Sequence, residues 1–180
     1  HNPLLPASLS ANNISEIFED RSGLLWFGTT GGGINKHNPR ASYFASYTAD
    51  HLVASSISND NLMGMAVSPQ GEVWIATLGG GLNILDPKTG RTFAYRFYSY
   101  RPDSLSSDEA RAVYFDSQGQ AWIGTSYGLN LWNSNGSFTT YVHDPDDENS
   151  LSSNVIYAIT EDPDGNLWVG TNNGLNKSPD

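Results

Sequence analysis

The chain has 180 residues, of which 38% are hydrophobic, 12% aromatic and 16% charged, a balance that excludes a disordered segment and suffices to bury a core. Nine Lys and Arg against 19 Asp and Glu leave a net charge of −10, a field that repels nucleic acid and anionic membrane surfaces. The absence of cysteine excludes disulfides, thiolate zinc sites and cysteine nucleophiles. No apolar run is long enough to span a bilayer, so no direct membrane contact is expected from this segment. His1-Asn2-Pro3 lacks the charged start and apolar stretch of a secretory leader. The expectation is a mature chain or a piece of a longer one.

Taken in chain order, the elements repeat. The first unit enters through Ser8-Leu9-Ser10. Strands are predicted at Ile14–Phe18, Leu25–Thr29, Ile34–Lys36 and Tyr43–Tyr47. The second enters through Ser56-Ile57-Ser58, with strands at Leu62–Val67, Val73–Thr77, Leu82–Leu85 and Phe93–Tyr100. The third enters through Ser104-Leu105-Ser106, with strands at Ala110–Phe115, Ala121–Thr125, Leu129–Trp132 and Phe138–Tyr141. The fourth enters through Ser150-Leu151-Ser152 and continues with Val155–Thr160, Leu167–Thr171 and Leu175–Lys177. Trp26, Trp74, Trp122 and Trp168 mark the register. A glycine stands three residues before each of them and a threonine three after: Gly23 and Thr29, Gly71 and Thr77, Gly119 and Thr125, Gly165 and Thr171. Gly33, Gly81, Gly128 and Gly174 each open a Gly-Ile-Asn or Gly-Leu-Asn. Helical periodicity of any length is absent.

Four short antiparallel strands in each unit of about 40–50 residues predict an all-β fold, a β-propeller of four-stranded blades. The blades are expected at 8–54, 55–103, 104–149 and 150–180, the last without its outer strand. A blade between two others must be dry on both faces. The second strand fits that demand: Trp26 and Gly28 project to one side, Leu25 and Phe27 to the other. Small residues at Gly64, Ala112 and Ala158 suit a crowded axis, and Glu16 breaks the series. Glu16 is expected to line a wet channel or to pair with Arg111. Three closures fit four units: a fragment of a larger propeller, a small four-bladed ring, or two chains completing one ring. The fragment is the expectation, and its open blade faces predict self-association.

The pattern D-x-x-G-x-x-W-[IFV]-G-T followed by G-[LI]-N runs from Asp20 to Thr29, Asp116 to Thr125 and Asp162 to Thr171. In the second copy Ser68 replaces the aspartate and Ala76 the glycine. This pattern resembles the two-component-regulator propeller repeat of the extracytoplasmic sensors of hybrid histidine kinases and related signalling proteins such as diguanylate cyclases. The resemblance implies seven-bladed propellers, of which four repeats are about half. It also implies a periplasmic location, with a transmembrane helix and an output domain outside this segment, and carries no catalytic residues. The Gly-His and Trp-Asp marks of WD40 blades are missing.

No two of His1, His37, His51 and His143 stand close enough to form a local metal box. The run Asp144-Pro145-Asp146-Asp147-Glu148-Asn149 lacks the glycine and distal glutamate of an EF-hand loop and reads as a solvated turn. The glycine triplets at 31–33 and 79–81 precede strands rather than helices and read as tight turns, not phosphate cradles. No cofactor and no metal are expected. Function is sought in residues that depart from the repeat, because packing does not dictate them. The second-to-third turns and the fourth-to-first connectors emerge on one face, where binding residues tend to sit. Candidates there are Thr30, Leu78, Tyr127, Asn172 and Asn173 from the turns, and Tyr100, Arg101, Asp103 and His51 from the connectors. Tyr100 and Tyr127 offer flat faces for stacking on a sugar ring, and Asn172 and Asn173 offer amides to its hydroxyls. The function expected is non-catalytic sensing, in a bacterial membrane-bound signalling protein, of a small molecule or oligosaccharide that is not strongly anionic. The alternatives are a structural or protein-interaction propeller that mediates dimerisation, and a polysaccharide or lactone lyase-like enzyme, which would need carboxylates converging on one mouth.

Overall fold

The computed structural model describes residues 8–39, 44–50 and 52–178. Their fifteen strands form four sheets, and there is no helix among the described residues. The first sheet contains β1 (Ile14–Glu19), β2 (Leu25–Thr29), β3 (Gly33–His37) and β4 (Phe44–Tyr47). The second contains β5 (Leu62–Val67), β6 (Val73–Thr77), β7 (Gly81–Leu85) and β8 (Thr92–Tyr95). The third contains β9 (Ala110–Phe115), β10 (Ala121–Thr125), β11 (Gly128–Trp132) and β12 (Phe138–Tyr141). The last contains β13 (Ile156–Glu161), β14 (Leu167–Thr171) and β15 (Gly174–Lys177). Each sheet is an antiparallel meander in chain order. The expected start of β4 at Tyr43 lies outside the described residues. The predicted strand Phe93–Tyr100 is too long. β8 ends at Tyr95 because the backbone of Phe97 donates to Asp108 and that of Tyr98 to Ser104, which turns the chain away from the sheet.

The sheets meet through their first strands, β1 on β5, β5 on β9 and β9 on β13. This is the radial arrangement of propeller blades. Gly64 permits the close approach of β5 to β9: a Cβ there would stand 3.0 Å from the carbonyl oxygen of Arg111. Three apolar seams follow. Trp26 and Ile34 of the first blade pack on Leu62, Met65, Val73 and Ile75 of the second. Trp74, Leu82 and Ile84 pack on Ala110, Val113, Ala121 and Ile123 of the third. Leu129 and Trp122 meet Ile156, Leu167 and Val169 of the fourth. The tryptophans of the first three repeats therefore face forward along the chain. Trp132, the tryptophan outside the repeat, joins the middle seam edge-on to Trp74 and Tyr95.

The two end faces show what a seam is worth. Leu82 in the second blade is 0% exposed, while Leu175 at the same place in the fourth is 64% exposed. Met65 is 9% exposed, while its first-blade counterpart Ile17 is 54% exposed. The four blades form an open arc of a larger propeller, and both ends present apolar surface.

Polar clasps hold each blade in shape. The indole N–H of Trp26, Trp122 and Trp168 donates to Asp20, Asp116 and Asp162 at 2.8, 2.9 and 2.8 Å. In the second blade, where Ser68 stands for the aspartate, Trp74 donates instead to Glu72 at 3.1 Å. Ser68 Oγ keeps the other half of the aspartate's task by accepting the backbone N–H of Glu72 at 3.0 Å. Inside the blades, Asn35, Asn83 and Asn130 are fully buried. Each accepts from the backbone of the entry serine, Ser10, Ser58 or Ser106, and donates to its hydroxyl.

Two outcomes test this reading. Leu175→Lys is expected to reduce concentration-dependent self-association of the chain, seen by sedimentation, with stability nearly unchanged, whereas Leu82→Lys prevents folding. Glu72→Ala is expected to cost about 1–3 kcal/mol in chemical denaturation, because it strands the buried indole N–H. Adding Ser68→Asp to that variant recovers most of the loss.

Candidate functional site

The connectors and second-to-third turns share one face, as expected. The turn of each blade donates backbone N–H groups to the connector leading into the next. Gly31 and Gly33 donate to the carbonyl of Asp60, Gly79 and Gly81 to that of Asp108, and Gly128 to that of Asn154. The side chains of Asp60, Asp108 and Asn154 in turn accept from Ala49, Phe97 and His143. Each connector is also closed on itself by its first serine. Ser56, Ser104 and Ser150 accept from the backbones of Asp50, Tyr98 and Asp144 and donate to the carbonyls of the same residues. The connectors thus form ordered loops, held at equivalent places, with interchangeable tips.

Two hollows open between a connector and the outer strand of the blade it crosses. One, of about 310 Å³, is bounded by Asp50, Val53, Ala54, Ser56, Ala94 and Arg96. The other, of about 210 Å³, lies among Phe97, Tyr98, Arg101, Pro102, Tyr127 and Thr140. Of the candidate residues, Arg101 and Tyr127 meet here. Tyr100 is exposed beside the hollow and tilts against Tyr98 at 5.7 Å between ring centres. Asp103 holds the Arg101 guanidinium at 3.6 Å. Tyr98, Phe97 and Thr140 were not anticipated. The signal for them was the aromatic run Phe97-Tyr98-Ser99-Tyr100, at a place where the next connector carries His143-Asp144-Pro145-Asp146.

The remaining candidates do not join this hollow. Thr30, Leu78 and Asn172 donate their backbone N–H groups to Asn13, Asn61 and Val155. Asn173 uses its side-chain amide on the carbonyl of Ser152. All four are pinned turn residues away from both hollows. His1 and His51 lie outside the described residues. His143 Nδ1 sits 2.6 Å from the Leu151 carbonyl, a connector role. Asp144 and Asp147 accept backbone bonds from Asp146 and Asn149 within their own turn.

The expected Glu16–Arg111 pair does not form. Arg111 lies 3.4 Å from Glu109, donates to Ser126 at 2.8 Å and covers the ring of Tyr157. Glu16 is partly buried, and burial raises its pKa, offset in part by a bond from the Ile17 backbone. Asp162 is shifted the other way, down to about 2, chiefly by the Trp168 indole and then by Asn166. At Asp20, burial works against the charge, but bonds from Ser22, Trp26 and Leu24 outweigh it and lower the pKa. A carboxylate whose folded pKa lies below its unfolded value of 3.8 stabilises the fold fully above that value and loses the contribution as pH falls toward 2. Thermal melting is therefore expected to fall steeply between about pH 4 and 2, and Asp162→Asn to melt lower at pH 7 but with a flatter acid limb.

A model described as the two component regulator propeller matches residues 8–31, 104–127 and 150–173. The repeat it leaves out is the second, the one that carries Ser68 and Ala76. Among solved structures, the chain is similar to the extracellular domain of a protein described as a hybrid two-component system of B. thetaiotaomicron. The TM-score is 0.81 and the identity 27%, over 95% of this chain and 24% of that one. A second extracellular domain from the same organism, described as a one-component system, gives 0.74 and 26% over 94% and 22%. The chain thus spans about a quarter of the length of either. The virginiamycin B lyase of Staphylococcus aureus, at 15% identity and a TM-score of 0.64 over 91% of this chain and 54% of that one, shares the fold alone. No curated protein matches the chain.

Proposed function

On the match of three of its repeats to the two component regulator propeller, we propose that this chain is a non-catalytic, extracytoplasmic sensing segment of a membrane-bound signalling protein. The observation that carries this reading is the aromatic hollow on the connector face. The scaffold of that face repeats from blade to blade, yet this connector carries Tyr98, Tyr100 and Arg101 where the next carries Asp144, Asp146 and Asp147, and Tyr127 stands on the facing turn where the first two blades carry glycine. Flat rings beside a charged group offer stacking together with a directed hydrogen bond, as suits a neutral or weakly charged small molecule or oligosaccharide. Similarity to the extracellular domains of a hybrid two-component system and a one-component system supports the location.

In mechanism, a ligand in the hollow would tie the connector at 97–106 to the turn at Tyr127, stiffening the seam between the second and third blades. Transmission requires that the ligand bind two packings of the sensing region unequally. The test is a reporter assay of the full-length signalling protein. Tyr127→Ala together with Tyr98→Ala is expected to abolish the response to inducing ligand and to leave expression and surface exposure unchanged. A normal response in that variant, or in a protein lacking these four repeats, would defeat the proposal.

A further inference from the structure

The first strand of every blade carries an irregularity at the same place. Ile14 faces Thr29 and Glu16 faces Gly28, leaving Ser15 as an extra residue. Leu62 faces Thr77 and Gly64 faces Ala76, leaving Met63. Ala110 faces Thr125 and Ala112 faces Gly124, leaving Arg111. Ile156 faces Thr171 and Ala158 faces Gly170, leaving Tyr157. These are β-bulges, and a bulge lifts one side chain out of the alternating pattern and re-aims it. The residues on either side are confined by packing. Leu62, Ala110 and Ile156 are buried in the seams, and Gly64 and Ala112 lie at the close approach of β5 and β9. The bulged residues are under no such demand, and the four copies carry four different chemistries.

Their position is specific. Each lies one residue into its strand from the connector face, beside the Thr that begins the second-to-third turn. The backbones of Gly64 and Arg111 are in contact, and the Arg111 guanidinium sits 5.5 Å from the centre of the Tyr157 ring. The bulges of the second, third and fourth blades therefore converge where the first strands meet. Arg111 is held in place there. Its Nε donates to Ser126 at 2.8 Å, one Nη lies 3.4 Å from Glu109, and Ser126 donates to the same Glu109 oxygen at 2.6 Å. The second Nη makes no hydrogen bond among the described residues and stays available. Tyr157 and Met63, the bulged residues of the flanking blades, are both exposed.

We infer that the bulged residues form a recognition ring at the axial mouth of the connector face, where Arg111, Tyr157 and Met63 take a carboxylate borne on a flat apolar body. A guanidinium fixed by two partners offers its remaining N–H groups in the planar geometry a carboxylate needs. The tyrosine ring and the thioether supply adaptable apolar contact for the body. The bulges explain the diversity: they let the mouth change from copy to copy while the seams stay constant. This site is separate from the aromatic hollow and adds to the sensing reading, and its test does not depend on signalling.

The probe is benzoate, with benzamide as the uncharged control, measured by titration calorimetry on the longest chain that contains these repeats. Benzoate is expected to bind at least about tenfold more tightly than benzamide, as a charge-assisted pair requires. Arg111→Gln removes the preference, Arg111→Lys keeps part of it, and Tyr157→Leu weakens benzoate while leaving its preference over benzamide. Tyr157→Leu keeps the test open if Arg111→Gln fails to fold. Equal binding of the two probes, no saturable binding of either, or a preference that survives Arg111→Gln would overturn the inference. Loss of the preference in Tyr127→Ala alone would also overturn it, by placing the carboxylate in the hollow. Arg111 would then be a strut between blades.

Discussion

The structure depends on one constraint: a flat four-stranded sheet with two apolar faces is stable only when another sheet covers each face. The seams between blades meet it by setting an indole and an aliphatic side chain of one blade against aliphatic residues on the first two strands of the next. Repetition supplies its own control, because equivalent positions differ only in whether a neighbour is present. Leu82 and Leu175 occupy the same place in the second and fourth units, and one is sealed while the other faces solvent. The hydrophobic effect, more than any local preference, thus sets the arrangement.

Polar groups that this packing buries are answered by a second repeated system. The aspartate of each first-to-second turn accepts backbone N–H groups with one oxygen and the indole N–H with the other, so a tight turn and a core tryptophan are fastened by one side chain. The second blade shows which part of this is obligatory. The aspartate is lost, yet both bonds persist, one moved to Ser68 and the other to Glu72. The requirement is for satisfied donors, and the residue that satisfies them is free to move along the turn.

The scaffold leaves variation in two places. The connectors are closed at both ends by serine and by aspartate or asparagine, so their tips differ without cost to the blades. The bulged residues on the first strands are released from the seams by one extra residue in the ladder. Both lie on one face, which is therefore where the molecule acquires individuality without disturbing its packing.

Much of this was legible in the residues. Turn glycines, alternating strands and a tryptophan at constant offset determined the blades, their order and their open ends, because each signal is local and is repeated four times. Tyr127 and Arg101 were recognisable as departures from the repeat. Other features were settled only in three dimensions. The end of β8 at Tyr95 depends on Asp108 and Ser104, which reach back from later in the chain. The partner of Arg111 is Glu109 and not Glu16, because the bulge turns the guanidinium toward its own blade's turn. The bulges leave no mark on the spacing, since an extra residue in every copy preserves the period. Sequence determines what recurs along the chain. Which side chains meet across seams and at the axis is decided by register and packing between strands that are distant in sequence.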